Sequence, residues 1–252
     1  MIALNLLYLL VGIAALPWVL YRKLSNKRPV AAIRERITGR ICVADCPQDH
    51  DRIWLHGVSV GEVQLLRTLI TELEKQAHIK KQLIDCVLSS STTTGLEVAT
   101  RGHQKDHVFP CPLDFSWAIR EALDRVRPDL LILGELELWP NLLRIADDYK
   151  IPVLVVNGRM SQRSYQGYRK VQRFAASMLR RVSLVLSRSS EDSERFTNLG
   201  APAVEPIGSL KFDGIDGDRH GDEVRHLKKI IGIDDDDFIL GFCRRYCEPS
   251  QC

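Results

Sequence analysis

Between residues 52 and 200, short apolar runs alternate with longer segments of helical period, and few folds accommodate that alternation. The runs at 52–56, 83–88, 107–110, 129–133, 152–156 and 183–186 read as strands. The segments at 62–76, 96–101, 114–126, 140–149, 165–181 and 190–199 read as helices. A strand followed each time by a helix calls for parallel strands joined by right-handed crossovers. The predicted class is therefore α/β, one doubly wound parallel sheet. A further helix at 223–231 and a strand at 238–241 continue the pattern, and no internal repeat is visible.

In such a sheet, ligands bind at the carboxyl ends of the strands, so the loops there are the places to look for chemistry. The first follows the strand at 52–56: Gly57-Val58-Ser59-Val60-Gly61, then Glu62 at the first helical turn. Two readings of Glu62 stand side by side. It is a chemical group at the rim, or an acid complementing the helix dipole for about 0.3–1 kcal/mol. The second loop is the hydroxyl run from Ser89 to Thr94, including Ser91, Thr92 and Thr93 and closed by Gly95. It reads as an anion cradle or as a generous N-cap. It lacks the Gly-Lys of a P-loop, which disfavours ATP. Asp114 reads as the cap of the helix that follows it.

After the strand at 129–133 come Glu135 and Glu137, ahead of Trp139-Pro140-Asn141. On an extended segment, carboxylates two residues apart share a side, and packed in a cleft they raise one another's pKa. Pro140 suits the first turn of a helix. After the strand at 152–156, Arg159 and Arg163 with Ser161 and Ser164 form a set of anion donors. The helix that follows carries a dense basic face with Arg169, Lys170, Arg173, Arg180 and Arg181. That face reads as solvated, or as a contact for an acidic membrane or a phosphorylated acceptor.

Composition narrows the class. A net charge of +3, with no basic run interleaved with aromatics, argues against a nucleic-acid partner. The 7 cysteines are odd in number and contain no C-x-x-C pair, so they read as reduced thiols of a cytosolic protein without a metal site. Residues 2–21 are apolar and free of Lys, Arg, Asp and Glu, and Arg22, Lys23, Lys27 and Arg28 follow. About 20 apolar residues span a bilayer. The flanking charge predicts a transmembrane anchor with the rest of the chain on the cytoplasmic side.

Taken in order, WLHGVSVGE at 54–62, SSSTTTG at 89–95, PLD at 112–114, ELELWPN at 135–141, NGRMSQRS at 157–164 and IGSLKFD at 207–213 resemble the Kdo transferases of lipopolysaccharide synthesis. The resemblance covers roughly residues 1–241. It implies a membrane-associated glycosyltransferase that moves 3-deoxy-manno-octulosonic acid (Kdo) from CMP-Kdo to a lipid A precursor, with inversion and without metal or cofactor. It implies an N-terminal Rossmann-like domain of a two-domain enzyme, at the inner membrane. Glu62 matches the family's general base, Glu135 and Glu137 its acidic motif, and Lys211 its loop lysine. Ser59, Gly61, Ser91, Thr92, Thr93, Asn141, Arg159, Ser161 and Arg163 are the expected substrate contacts. The expected organisation is an anchor at 1–21, a juxtamembrane linker at 22–51, an acceptor-side α/β domain at 52–232, and an aberrant or truncated start of a second domain at 233–252. On that reading these 252 residues alone are expected to lack transferase activity. A non-catalytic lipid A-binding module, or a transferase using another nucleotide sugar, are the alternatives.

Overall fold

The computed structural model describes residues 4–6, 8–10 and 32–210, all within one compact unit, Met1–Gly214. Lys211, the expected elements at 223–231 and 238–241, the cysteine-rich tail and most of the apolar N-terminal run lie outside the described residues. Among the described residues, no helix is long and apolar enough to cross a membrane.

Seven parallel strands form one sheet: β1 (Asp51–Gly57), β2 (Ile84–Ser90), β3 (Val108–Pro110), β4 (Leu130–Gly134), β5 (Val153–Gly158), β6 (Leu184–Ser187) and β7 (Val204–Pro206). Their order is β3-β2-β1-β4-β5-β6-β7. The chain winds outward in one direction to β3, returns beside β1 at β4, and winds outward the other way. The reversal between β1 and β4 is the topological switch point, where open α/β sheets bind ligands.

Both faces of the sheet are covered. Helices α2 (Val60–Lys80) and α3 (Thr93–Gly102) lie on one face, where Val63, Leu66, Ile70 and Ala99 pack against Leu55, Leu88 and Ile132. On the other face are α4 (Ser116–Val126), α5 (Pro140–Asp148), α7 (Gln172–Leu179) and α8 (Ser190–Asn198). They bury Leu123, Leu143, Leu179 and Phe196 against Trp54, Leu131, Val155 and Val185. The inner strands are apolar on both faces, as a sheet covered twice requires.

Two expectations need correction. The helix read at 165–181 is two, α6 (Gln162–Lys170) and α7, because Val171 leaves the helical region at φ −120°, ψ 37°. Ala175, Met178 and Leu179 of α7 reach the core, whereas α6 buries nothing, so one straight axis does not serve both segments. Asp114 does not cap its own helix. Its carboxylate accepts from the backbone N–H groups of Asn141 (3.0 Å) and Leu142 (2.8 Å), and so satisfies the start of α5. The residues after the short helix α1 (Ile33–Thr38) are knitted into the domain: Leu113 N–H bonds to Arg36 O, Ala44 N–H to Asp106 O, and Ile41 is buried.

Candidate active site

The carboxyl ends of β1 and β4 are adjacent, and Glu62 lies over the seam between them. A Cβ built on Gly57, at the end of β1, would lie 3.1 Å from Glu62 Cβ. A Cβ on Gly134, at the end of β4, would lie 3.7 Å from Glu62 Oε2. Glycine at the end of β1 is what lets the acid approach the sheet so closely, while at Gly134 a Cβ would make only ordinary contact with it.

The orientation of Glu62 comes from its own turn. Ser59 is the N-cap of α2. Its hydroxyl accepts from Glu62 N–H (3.2 Å) and donates to Glu62 Oε1 (2.7 Å). Oε2 accepts from Val58 N–H at 2.8 Å. This is a variant of the S-x-x-E capping box, with the carboxylate reaching back to the N–H of Val58, one residue before the N-cap, so the structural reading of Glu62 is fulfilled in the same geometry that places it at the switch point. The side chain is 8% exposed.

The hydroxyl loop after β2 braces this turn. Thr92 caps α3 by accepting from Gly95 N–H (3.0 Å) and also donates to Val58 O (2.7 Å). Ser90 donates to the same carbonyl at 3.2 Å. Ser91 sits 3.4 Å from His56 Nε2 and Thr93 is exposed. Strand and period reasoning missed His56, a residue fully buried at the end of β1. Its Nδ1 meets Ser89 Oγ at 2.9 Å, and that hydroxyl also receives Trp54 Nε1–H at 2.7 Å. Burial pushes the His56 imidazole down to about 4. It is neutral at physiological pH and serves to position the loop.

The acidic segment after β4 is not extended. Glu135 has φ +56° and begins a tight turn, with Leu138 N–H bonded to Leu136 O and Trp139 N–H to Glu137 O. The shared-side argument for Glu135 and Glu137 therefore fails. The electrostatic consequence survives by another route. Burial, then the charge of Glu62, raises Glu137 to about 7; Glu135 adds to the rise, and a bond from Trp139 Nε1–H (3.0 Å) opposes it.

This carries a pH prediction. The Glu137 side chain binds its proton more tightly in the folded chain, at about 7, than its ordinary value of 4.5. Between those values the folded state holds a proton that the unfolded chain has released. The resulting stability is complete below about pH 4.5 and is lost as pH rises through 7. Glu137→Gln is expected to stay close to wild type in urea melts at pH 4.5 and to exceed it by about 1–2 kcal/mol at pH 7.5, because solvent screening at this half-buried group reduces the roughly 3 kcal/mol that the full shift would carry. Parallel curves at both pH values contradict the assignment.

The remaining expected contacts divide in two. Gly61 is exposed and open in the first turn. Ser161 caps α6 by accepting from Ser164 N–H (3.1 Å), and Arg159 and Arg163 are exposed beside it, at the carboxyl end of β5. Asn141 is 1% exposed and its amide is spent on the fold, donating to Asp114 O (2.5 Å) and Asn5 Oδ1 (3.1 Å).

Residues 31–214 match the family described as 3-deoxy-D-manno-octulosonic-acid transferase (kdotransferase). A bifunctional glycosyltransferase/methyltransferase of Fusobacterium nucleatum is 36% identical over 204 residues, 78% of this chain and 31% of that protein. The 3-deoxy-D-manno-octulosonic acid transferase of Haemophilus influenzae is 31% identical over 68% of this chain and 39% of its own length. That of Chlamydia pneumoniae is 28% identical over 79% of this chain and 45% of its own. The chain thus spans less than half the length of these relatives. Among solved structures, UDP-GlcNAc 2-epimerase from Neisseria meningitidis bound to UDP-GlcNAc aligns at TM-score 0.46 with 11% identity, over 64% of this chain and 47% of that one. The family match runs through the Glu62 turn, the hydroxyl loop, the acidic segment and the arginine loop, and the chain belongs to the 3-deoxy-D-manno-octulosonic-acid transferase family of glycosyltransferases.

Proposed function

We propose that this chain forms the acceptor-binding half of a transferase that moves Kdo from CMP-Kdo to a lipid A precursor in lipopolysaccharide synthesis. The observation that carries the reading is Glu62, a buried carboxylate fixed by two hydrogen bonds over the β1–β4 seam, with Glu137 near neutrality beside it. In this reading Glu62 takes the proton from the acceptor hydroxyl as its oxygen attacks the anomeric carbon with inversion. Glu137 and Glu135 supply the acidic surroundings, and Lys211 completes the set.

The acceptor is an amphiphile that carries phosphates, and two features fit it. From 159 to 190 the chain has no Asp or Glu. On α6 and α7, Arg163, Arg169, Lys170 and Arg173 are exposed around Val171 and Phe174, which are 52% and 48% exposed. A basic surface with apolar residues in its middle suits an anionic lipid–water interface. The apolar run at 2–21 would hold the domain at the cytoplasmic face of the inner membrane. Asn5 and Tyr8 of that run donate to Ser116 Oγ (2.7 Å) and Asp114 Oδ2 (2.9 Å), which ties this part of it to the start of α4.

Calorimetric titration of the 252-residue chain with the O-deacylated, bisphosphorylated glucosamine disaccharide tests the reading. Saturable binding that weakens as salt is raised is expected, because the arginines meet phosphates. No uptake at millimolar disaccharide would sink it.

A further inference from the structure

Where β5 ends, it carries one residue more than its partner. Leu154 and Val155 pair with Leu184 and Val185, but the next partner of the β6 rim, Ser187, faces Gly158. One extra residue on one strand marks a bulge, a device found beside active sites that re-aims a side chain. Asn157 lies in this bulge with φ +55°. Asparagine adopts that left-handed conformation more readily than most residues. Its side chain is fully buried, and neither Nδ2 nor Oδ1 has a hydrogen-bond partner.

A carboxamide can donate two hydrogen bonds and accept two. Leaving such a group buried and unpaired is costly, and here both of its ends are unpaired. The neighbouring strand end is also left-handed, at Glu135, whose N–H bonds to Val156 O at 2.9 Å. The acidic segment and the unpaired amide therefore sit on adjacent strands, next to each other at the carboxyl edge of the sheet.

We propose that Asn157 is a sugar-recognition residue of the acceptor site, its carboxamide completed by a hydroxyl group of the bound acceptor. The inference rests on the acceptor reading given above. A hydroxyl both donates and accepts, which matches an amide with both functions vacant. Phosphate offers only acceptors, and the arginines at 159 and 163 already serve it. The amide is fully buried in the free chain, so a hydroxyl reaches it only when the structure around it opens.

Asn157→Gly tests the proposal, because glycine keeps the left-handed backbone while it removes the side chain that carries the amide. The 252-residue chain and the variant are each titrated with the O-deacylated disaccharide, and in separate arms with free Kdo and with CMP. The disaccharide is expected to bind the variant about tenfold more weakly or worse, while the melting temperature of the free variant changes little. In wild type, the side-chain NH2 resonances of Asn157, identified by their absence from the variant, are expected to move with disaccharide and to stay in place with CMP. Equal affinity for the two proteins, with unmoved resonances, overturns the role of Asn157 alone. So does a large fall in melting temperature with unmoved resonances, which makes the residue structural. A loss confined to free Kdo, or resonances that answer to CMP, overturns the acceptor assignment. A wild-type chain that takes up no disaccharide overturns the acceptor reading of the whole domain, and this proposal with it.

Discussion

Glu62→Gln is expected to leave the domain standing and to stop the sugar transfer. The two consequences separate because the capping box accepts glutamate or glutamine at its third helical position. A glutamine oxygen can still accept from Val58 N–H, and its NH2 can donate to Ser59 Oγ, so both bonds of the native turn have replacements. The change in stability should stay within about 0.5 kcal/mol. What glutamine cannot do is take a proton. Removing a placed general base costs about 10²–10⁴-fold in rate, and under the function proposed above that loss is expected in a full-length transferase of the family that contains this domain. Glu62→Ala is the comparison. It strips the box, costs about 1–2 kcal/mol, and lowers the melting temperature by roughly 2–8 °C. Were Glu62 only a cap, glutamine would keep full activity and alanine would lose it in proportion to stability. Thermal melts and transfer of a labelled sugar, run on the same two variants, distinguish the outcomes.

That experiment turns on a residue whose place was legible in the sequence, and the reason is local. A strand, a glycine turn and an amphipathic helix follow one another within 54–66, so the rim position of Glu62 needed nothing from the rest of the chain. The strand positions were legible for a similar reason, since apolar runs bounded by turns describe strands buried on both faces. β7 escaped notice because Val204–Pro206 is a short edge strand with an exposed proline and little apolar content. The other errors are long-range. Asp114 sits at a helix start in the sequence but serves a helix 27 residues away, because α4 and α5 are neighbours in space. Glu135 turns left-handed where β4 closes against Val156 of β5, which no reading of 135–137 by itself discloses. His56 and Asn157 look like ordinary strand-end polar residues until burial shows one with its partners and the other without.

The largest expected loss of stability lies at the opposite edge of the sheet, where sequence reasoning saw only the first residue of a strand. Arg52 is 2% exposed. Its guanidinium bonds Asp85 Oδ2 at 2.6 Å and reaches the carbonyls of Ala44 (2.8 Å) and Val126 (3.3 Å). Asp85 is its register partner on β2, 6% exposed, and its other oxygen meets His107 Nε2 at 2.9 Å. Arg52→Ala leaves that carboxylate buried beside His107 and the Cys46 thiol without its strong cation, and two carbonyls without their donor. Breaking a buried pair from one side costs about 3–5 kcal/mol, a fall of roughly 6–20 °C in melting temperature. The pair itself is not what the fold requires, because its mutual attraction is set against the cost of taking both charges out of water. Arg52→Met combined with Asp85→Leu is therefore expected to recover most of the loss. Arg52 is about 16 Å along β1 from Gly57, so disaccharide binding below the melting transition should be the same in all three proteins. If the double variant is no more stable than Arg52→Ala, the penalty comes from lost packing and lost carbonyl bonds, not from a stranded carboxylate.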